Sequence, residues 1–143
     1  MSMKVYDANE VTVNFAGLAI DSGFDDGEFC TIEQDNDSFG AKQGTDGQVT
    51  RYKTYQDLTT ITLKLMQTSE GNAKLSTLLN ADLIGTNGAG VAPIMIRDRQ
   101  GLSLFASPEA WIMGPPKVAY AREPGAREWK IQVATPKRFD GGN

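Results

Sequence analysis

Three groups of residues in this sequence have types and spacings that chemistry uses. Asp35-x-Asp37-x-x-Gly40, with Asp46 at the twelfth position, sets oxygen donors and a glycine where a calcium-binding loop has them. The pattern breaks at the fifth position, where Phe39 replaces an oxygen ligand, and no bidentate glutamate closes the loop. It reads as a solvated acidic turn, and no metal is expected. Gly85-Thr86-Asn87-Gly88-Ala89-Gly90 has the glycine content of a phosphate-cradling loop. No Lys-Ser/Thr follows, and the glycines come after a helix rather than before one, so no helix N-terminus faces a phosphate. A helix cap and linker is the better reading. The acid pairs Asp25/Asp26 and Glu109/Glu123 are of the kind that two-carboxylate glycosidases use, but surface acids are common and neither pair names a reaction.

What is missing narrows the field further. The chain has no histidine, which removes Ser-His-Asp and Cys-His arrangements, the commonest acid–base residue near neutral pH and the commonest metal ligand. The single cysteine, Cys30, lies inside an apolar run and reads as a small buried hydrophobe. One cysteine allows no internal disulfide, which fits folding in a reducing cytoplasm. No catalytic residue and no cofactor are expected, and the chain reads as a non-enzyme.

Length and charge agree with that. At 143 residues the chain is expected to be a single domain, 1–143, able to bury a core without staples. It is 40% hydrophobic and 22% charged, an ordinary globular composition. Net charge is −4, from 18 acidic against 14 basic side chains, with no run of Lys or Arg, so attraction to a phosphate backbone is not expected. The opening residues lack the apolar core of a signal peptide, and no run approaches the roughly 18 apolar residues of a membrane span, so no membrane association is expected.

The elements that must carry any function are mostly strands. Val11-Thr12-Val13-Asn14-Phe15 alternates apolar and polar, and Gly17 predicts a turn with a return to Ile20. Thr59 to Gln67 is the clearest strand, with Ile61, Leu63 and Leu65 inward and Thr60, Thr62 and Lys64 outward. A helix follows from about Glu70 to Ile84, capped by Ser69, with Ala73, Leu75, Leu78, Leu79 and Leu83 at helical spacing. Pro93 to Asp98 and Leu102 to Ala106 predict a hairpin across Arg99-Gln100-Gly101. Ala110 to Met113 reads as a further short strand, and Val118 to Ala121 as another after Pro115-Pro116. Glu128 to Ala134 closes the pattern with Trp129, Ile131 and Val133 inward, and both Trp111 and Trp129 are expected in the core. The expected fold is therefore mainly β: an antiparallel β-sandwich or barrel with one flanking α-helix, about residues 70–84.

One stretch does not fit a compact sheet. Residues 35–47 form a polar loop of turn-forming residues between the strand-like runs Glu28 to Gln34 and Gln48 to Tyr55, read as the two sides of one hairpin. Hairpins normally close in two to five residues, so a connection of this length is either disordered or has a partner.

Several segments, in the same order over nearly the whole chain, resemble the tail tube proteins of contractile-tailed bacteriophages. They are Tyr6-Asp7 before Val11 to Phe15 and Gly17, Phe29-x-Thr31 to Phe39, Gly44 to Arg51, and Thr62 to Ser69. Pro93-Ile94 with Asp98, Ala110-Trp111-Ile112, Arg127-Glu128-Trp129 and Gly141-Gly142-Asn143 complete the set. The resemblance implies a β subunit similar in architecture to type VI secretion tube proteins. Such subunits form hexameric rings stacked into a hollow conduit for the genome, inside a contractile sheath. The implied partners are further copies of the chain, the tail sheath protein, and a tape measure protein and DNA in the lumen without specific binding. The implied location is the tail of the virion, after synthesis in the host bacterial cytoplasm.

The residues fit that picture independently. Free sheet edges must be covered or paired, and a ring closes them. Ordering a long loop costs about 1–2 kcal/mol per residue, which a repeated interface would offset. Asp35, Asp37, Phe39, Lys42 and Asp46 are thus expected to form an inter-ring assembly loop. Arg127 and Glu128 either pair on the sheet surface or reach a neighbouring subunit. An acidic wall also lets DNA slide where a basic one would trap it. The competing reading is a β-sandwich binding module for a sugar or protein partner. It calls for an exposed aromatic platform, whereas the aromatics, 8% of the chain, sit mostly at inward strand positions.

Overall fold

A computed structural model of the chain describes residues 3–85 and 90–142. Along the chain it runs β1 (Val11–Phe15), β2 (Leu18–Ile20), β3 (Cys30–Gln34), β4 (Phe39–Gln43), β5 (Val49–Lys53) and β6 (Thr59–Met66). Then come α1 (Glu70–Ile84), β7 (Ala92–Asp98), β8 (Leu104–Ile112), β9 (Ala126–Ala134) and β10 (Lys137–Phe139). Eight strands share one sheet in the order β2-β1-β7-β8-β9-β6-β3, with β10 beside β8; β4 and β5 form a separate two-stranded ribbon. Every strand pair is antiparallel. The fold is mainly β with one flanking helix, as the alternating runs predict.

Both halves of the large sheet feed one core. Val13 and Phe15 from β1, Ile94 and Ile96 from β7, and Ile61, Leu63 and Leu65 from β6 belong to the same buried cluster. Strands from opposite ends of a sheet can share a core only if the sheet curls over, so the subunit is barrel-like and β3 is its unclosed side. Alternation places Trp129, Ile131 and Val133 inward from β9, as their spacing predicts.

Helix α1 closes one end of the core. Ser69 caps it by accepting from the Gly71 N–H at 3.2 Å, which satisfies one of the orphan donors of the first turn. Its buried face is Gly71, Asn72, Leu75 and Leu79; Ala73 and Leu83, expected on that face, are exposed. The helix packs on the core as far as Leu79, and its last turn runs clear of it. Of the glycine-rich segment that follows, Gly85 caps the helix through its N–H on the Ala81 carbonyl. Residues 86–89 lie outside the described residues. Among the described residues no helix is long and apolar enough to cross a membrane.

Four expectations need correcting. Leu102–Ala106 and Ala110–Met113 are not two strands: β8 runs through Pro108, which has no N–H to give, because the register shifts there against Ala92 and Ile94. Ser107 Oγ holds the bulge by accepting from the Glu109 N–H at 3.1 Å. Val118 to Ala121 is not a strand; the segment after Pro115-Pro116 is irregular and exposed. Trp111 points to the outer side of β8 and is half-buried, so Trp129 alone of the two tryptophans is in the core. Finally, the run from Gln48 does not pair with the run ending at Gln34. Cys30–Gln34 pairs with β6, and Val49–Lys53 pairs with Phe39–Gln43, a strand inside the stretch expected to be loop.

Candidate functional site

The long insertion is an arm. Ser38 and Thr54 are its shoulders, joined by the Thr54 N–H on the Ser38 carbonyl at 2.9 Å, with Thr54 Oγ1 also donating to the Asp37 carbonyl at 2.7 Å. Beyond them β4 and β5 run out as a ribbon, with every residue exposed except half-buried Gly40. At the tip the Gly47 N–H reaches the Gly44 carbonyl at 3.1 Å, and Gly47 adopts φ +88°, a conformation glycine takes without strain. Asp46 Oδ1 accepts from the Gln48 N–H at 3.1 Å, so this carboxylate shapes the turn.

The ribbon has two faces. Phe39, Ala41 and Gln43 stand opposite Lys53, Arg51 and Val49 on one face; Gly40 and Lys42 stand opposite Tyr52 and Thr50 on the other. On the first face the Arg51 guanidinium lies 3.9 Å from the centroid of the Phe39 ring. On the second, the Tyr52 ring covers Gly40 so closely that a Cβ there would overlap it. The arm thus presents Phe39, Val49 and Tyr52 to solvent, together with Lys42, Arg51 and Lys53, and Tyr55 is exposed just past its shoulder.

Asp35 fixes the arm to the body. Its Oδ1 accepts from Thr60 Oγ1 at 2.8 Å and its Oδ2 from Gln132 Nε2 at 3.4 Å, so one carboxylate ties the arm's root to β6 and β9. Of the five expected arm residues, Asp35 is a root clamp, Asp37 a shoulder, Phe39 and Lys42 lie on the two ribbon faces, and Asp46 forms the tip. Sequence reading missed Gly40, Arg51 and Tyr52. Gly40, Lys42 and Gln43 leave Phe39 to Gln43 without a hydrophobic period, so no signal marked it as a strand. Arg127 and Glu128, adjacent on β9, project to opposite faces, so they do not pair with each other on one surface; Glu128 stands across from Lys64 of β6.

The two ends of the sheet are finished differently. At β2 the antiparallel alternation turns the Ala19 carbonyl away from β1, and Lys74 Nζ of α1 donates to it at 2.8 Å. Ser69 Oγ donates to the Ser22 carbonyl at 3.0 Å, so the helix start seals this edge. At β3 nothing comparable occurs. Phe29 O and Asp35 N bond toward β6, so Cys30, Ile32 and Gln34 turn their N–H and C=O groups away from it. Among the described residues no backbone hydrogen bond reaches those groups.

Groups read as candidate chemistry are used structurally or stand apart. Glu109 Oε2 accepts from Thr135 Oγ1 at 3.4 Å, while Glu123 lies in the exposed segment between β8 and β9. Burial pushes the Cys30 thiol up to about 12, leaving it a packed side chain rather than a nucleophile. Among the described residues no group of three Asp, Glu or Cys could hold a metal ion.

Comparison with known proteins fits this picture. The solved structures most similar in fold include a sheath/tube terminator of the PVC extracellular contractile injection system, with TM-score 0.65 and 15% identity over 98% of this chain and 100% of that one. The cap of the anti-feeding prophage tube gives TM-score 0.60 and 12% identity over 97% and 93%. A chain of the PVC sheath-tube complex gives 0.61 and 14% over 93% and 90%. These likenesses concern the fold. In sequence, the chain is 30% identical to structural protein ORF10 of Pseudomonas phage KPP10 over 98% of its own length and 84% of the relative's. The model of the bacteriophage PhiTE tail tube protein family matches residues 6–138. With nearly the whole chain covered, the protein belongs to the PhiTE tail tube family, a structural and non-enzymatic family of phage tails.

Proposed function

We propose that this chain builds the tube itself: copies close into hexameric rings, the rings stack into a hollow conduit for the genome, and the arm makes the ring-to-ring contact. The observation that carries this reading is the arm. A two-stranded ribbon is marginal in water by itself, yet this one carries exposed Phe39, Val49 and Tyr52 with no core behind them. A repeated interface would give those side chains a place to be buried. The sealed edge at β2 and the open edge at β3 support a head-to-tail arrangement, in which each copy offers different surfaces to its two neighbours.

The conduit role rests on charge. A net −4 and the lack of a basic run suit a wall past which DNA moves without being held. The tape measure protein and DNA would then occupy the lumen without specific binding, and the sheath would cover the outside, in the virion tail. Arg127 and Glu128, on opposite faces near one end of β9, are proposed as contacts between subunits.

The test is to excise the ribbon. Joining Ser38 to Thr54, already hydrogen-bonded, through a two-residue Asp-Gly turn removes Phe39 to Lys53 without leaving an unpaired strand. The chain would be supplied from a plasmid to host cells infected by a phage lacking its own copy. Electron microscopy of lysates is expected to show no tubes, while the purified variant melts cooperatively. Tubes of normal length would refute the arm's role.

A further inference from the structure

Beside the open edge of β3 lies a trough of about 660 Å³. Its floor is apolar, formed by Cys30 and Ile32 of β3 with Val11, Ile96 and Phe105 across from them. Along one side run the outward-turned backbone groups of Cys30, Ile32 and Gln34. The trough is therefore the missing closure of the barrel: a strand edge and an apolar floor with no strand upon them among the described residues. Such an edge is a template for strand addition, where main-chain hydrogen bonds give affinity and alternate side chains enter pockets.

Charge selects the occupant. Glu28 lines the trough, and Asp25 and Asp26 precede it in the same loop. Among the described lining residues there is no lysine or arginine. The arm has the opposite character, with Lys42, Arg51 and Lys53 on its strands and Val49 and Tyr52 exposed between them. Its outer strand has a free edge as well. The Thr54–Ser38 and Gly44–Gln48 bonds fix the alternation, so Val49, Arg51 and Lys53 turn their backbone groups away from β4.

We infer that the trough beside β3 is the receptor for the arm of a second copy, with Val49–Lys53 adding to Cys30–Gln34 as a strand and the basic side chains of the arm set against Glu28 and the acidic loop that precedes it. This rests on the reading of the arm as an assembly element and names its seat. Because arm and trough are different surfaces of one chain, the contact is heterologous and propagates instead of closing into a dimer. It also removes two exposed edges at once, that of β3 and that of β5.

Charge reversal on exposed residues tests the inference without touching the core. In the same plasmid-supplied infection, R51E/K53E and D26K/E28K are each expected to abolish tubes, and the quadruple variant is expected to restore them. Restoration is a result that a merely misfolded variant would not give. A second readout is covalent. In a C30A background, an E28C chain and an R51C chain mixed at high concentration should join through a short bismaleimide, with neither chain alone doing so. Loss of tubes on ribbon excision with full assembly of D26K/E28K would overturn the receptor while leaving the arm's role standing. Failure of the quadruple variant to assemble, with no cross-link between the cysteine chains, would overturn it also.

Discussion

The Trp129 Nε1–H donates to Asn72 Oδ1 at 2.9 Å in the buried interior, and Asn72 Nδ2 in turn donates to the Met66 carbonyl at 2.9 Å. One amide thus fastens three elements: the first turn of α1, the inner face of β9 and the end of β6. Replacing it with Leu leaves the indole N–H without its partner, while the Met66 carbonyl keeps the Ser69 N–H at 2.9 Å, and one buried orphan costs about 1–3 kcal/mol. Asn72→Leu is expected to lower the unfolding free energy by about 1–3 kcal/mol. Urea denaturation followed by tryptophan fluorescence checks this, and a change under about 0.5 kcal/mol would mean that water replaces the lost bonds.

Asp35 acts on the arm and not on the fold. Its carboxylate is exposed, and its two acceptor bonds, to Thr60 Oγ1 and Gln132 Nε2, tie the arm's root to the sheet. Asp35→Ala is expected to change stability by less than about 1 kcal/mol, since exposed hydrogen bonds contribute little. Backbone amides from Asn36 to Ser38 should exchange faster, and protease cleavage should rise there first. Unchanged exchange at those amides would show that the Thr54 contacts to Asp37 and Ser38 hold the root unaided.

Much of this fold was legible because most strands bury one face. Ile61, Leu63 and Leu65, and Trp129, Ile131 and Val133, announce their strands by strict alternation, and Ser69 announces the helix. The ribbon was not legible for the same physical reason in reverse. With both faces wet, Phe39 to Gln43 has no hydrophobic period, so a strand carrying Gly40, Lys42 and Gln43 reads as loop. Asp46 and Gly47 form the turn, but inside a stretch read whole as loop they did not say which run it joins to Val49–Lys53. Pro108 hid the continuity of β8, because a bulge that spares its missing N–H leaves no trace in periodicity. Asn72 was invisible because its role is set by Trp129, 57 residues away. The trough has no sequence signature, since Val11, Cys30, Ile32, Ile96 and Phe105 meet only when the sheet curls.

Cys30 gives the chain an alkaline signature. Burial holds its thiol protonated, pushing it up to about 12 from an ordinary 9.0. In the unfolded chain the thiol ionises near its ordinary value, so between those limits the unfolded state binds fewer protons than the folded one. Stability is therefore fully present below pH 9.0 and falls as pH rises toward about 12. The slope is at most about 1.4 kcal/mol per pH unit. The difference between wild type and Cys30→Ala, measured by urea denaturation across that window, isolates this thiol from the lysines and tyrosines that titrate there as well. A difference that stays flat with pH would show that the thiol ionises in the folded state. Consistently, a thiol reagent at pH 8 should label the native chain much more slowly than the chain in urea.

Gly40 offers a way to spoil the ribbon while leaving the body intact. The Tyr52 ring lies directly over it, and any side chain at position 40 must displace that ring. Gly40→Val is a fair probe, because valine suits a strand and would be harmless or stabilising if the space were open. Tyr52 is about half exposed, so the ring can swing into solvent and the body should unfold within about 0.5 kcal/mol of wild type. What changes is the face holding Gly40, Lys42, Thr50 and Tyr52, whose shape would no longer fit a partner packed on it. The expected result is a cooperatively folding chain with wild-type stability that supports few or no tubes in infected cells. Gly40→Val with Tyr52→Ala removes the clash but also the ring, so tubes returning in that double variant would assign the defect to crowding at position 40. Continued absence would assign it to the aromatic contact itself. Normal tubes from Gly40→Val alone would show that this face of the arm does not lie in the interface.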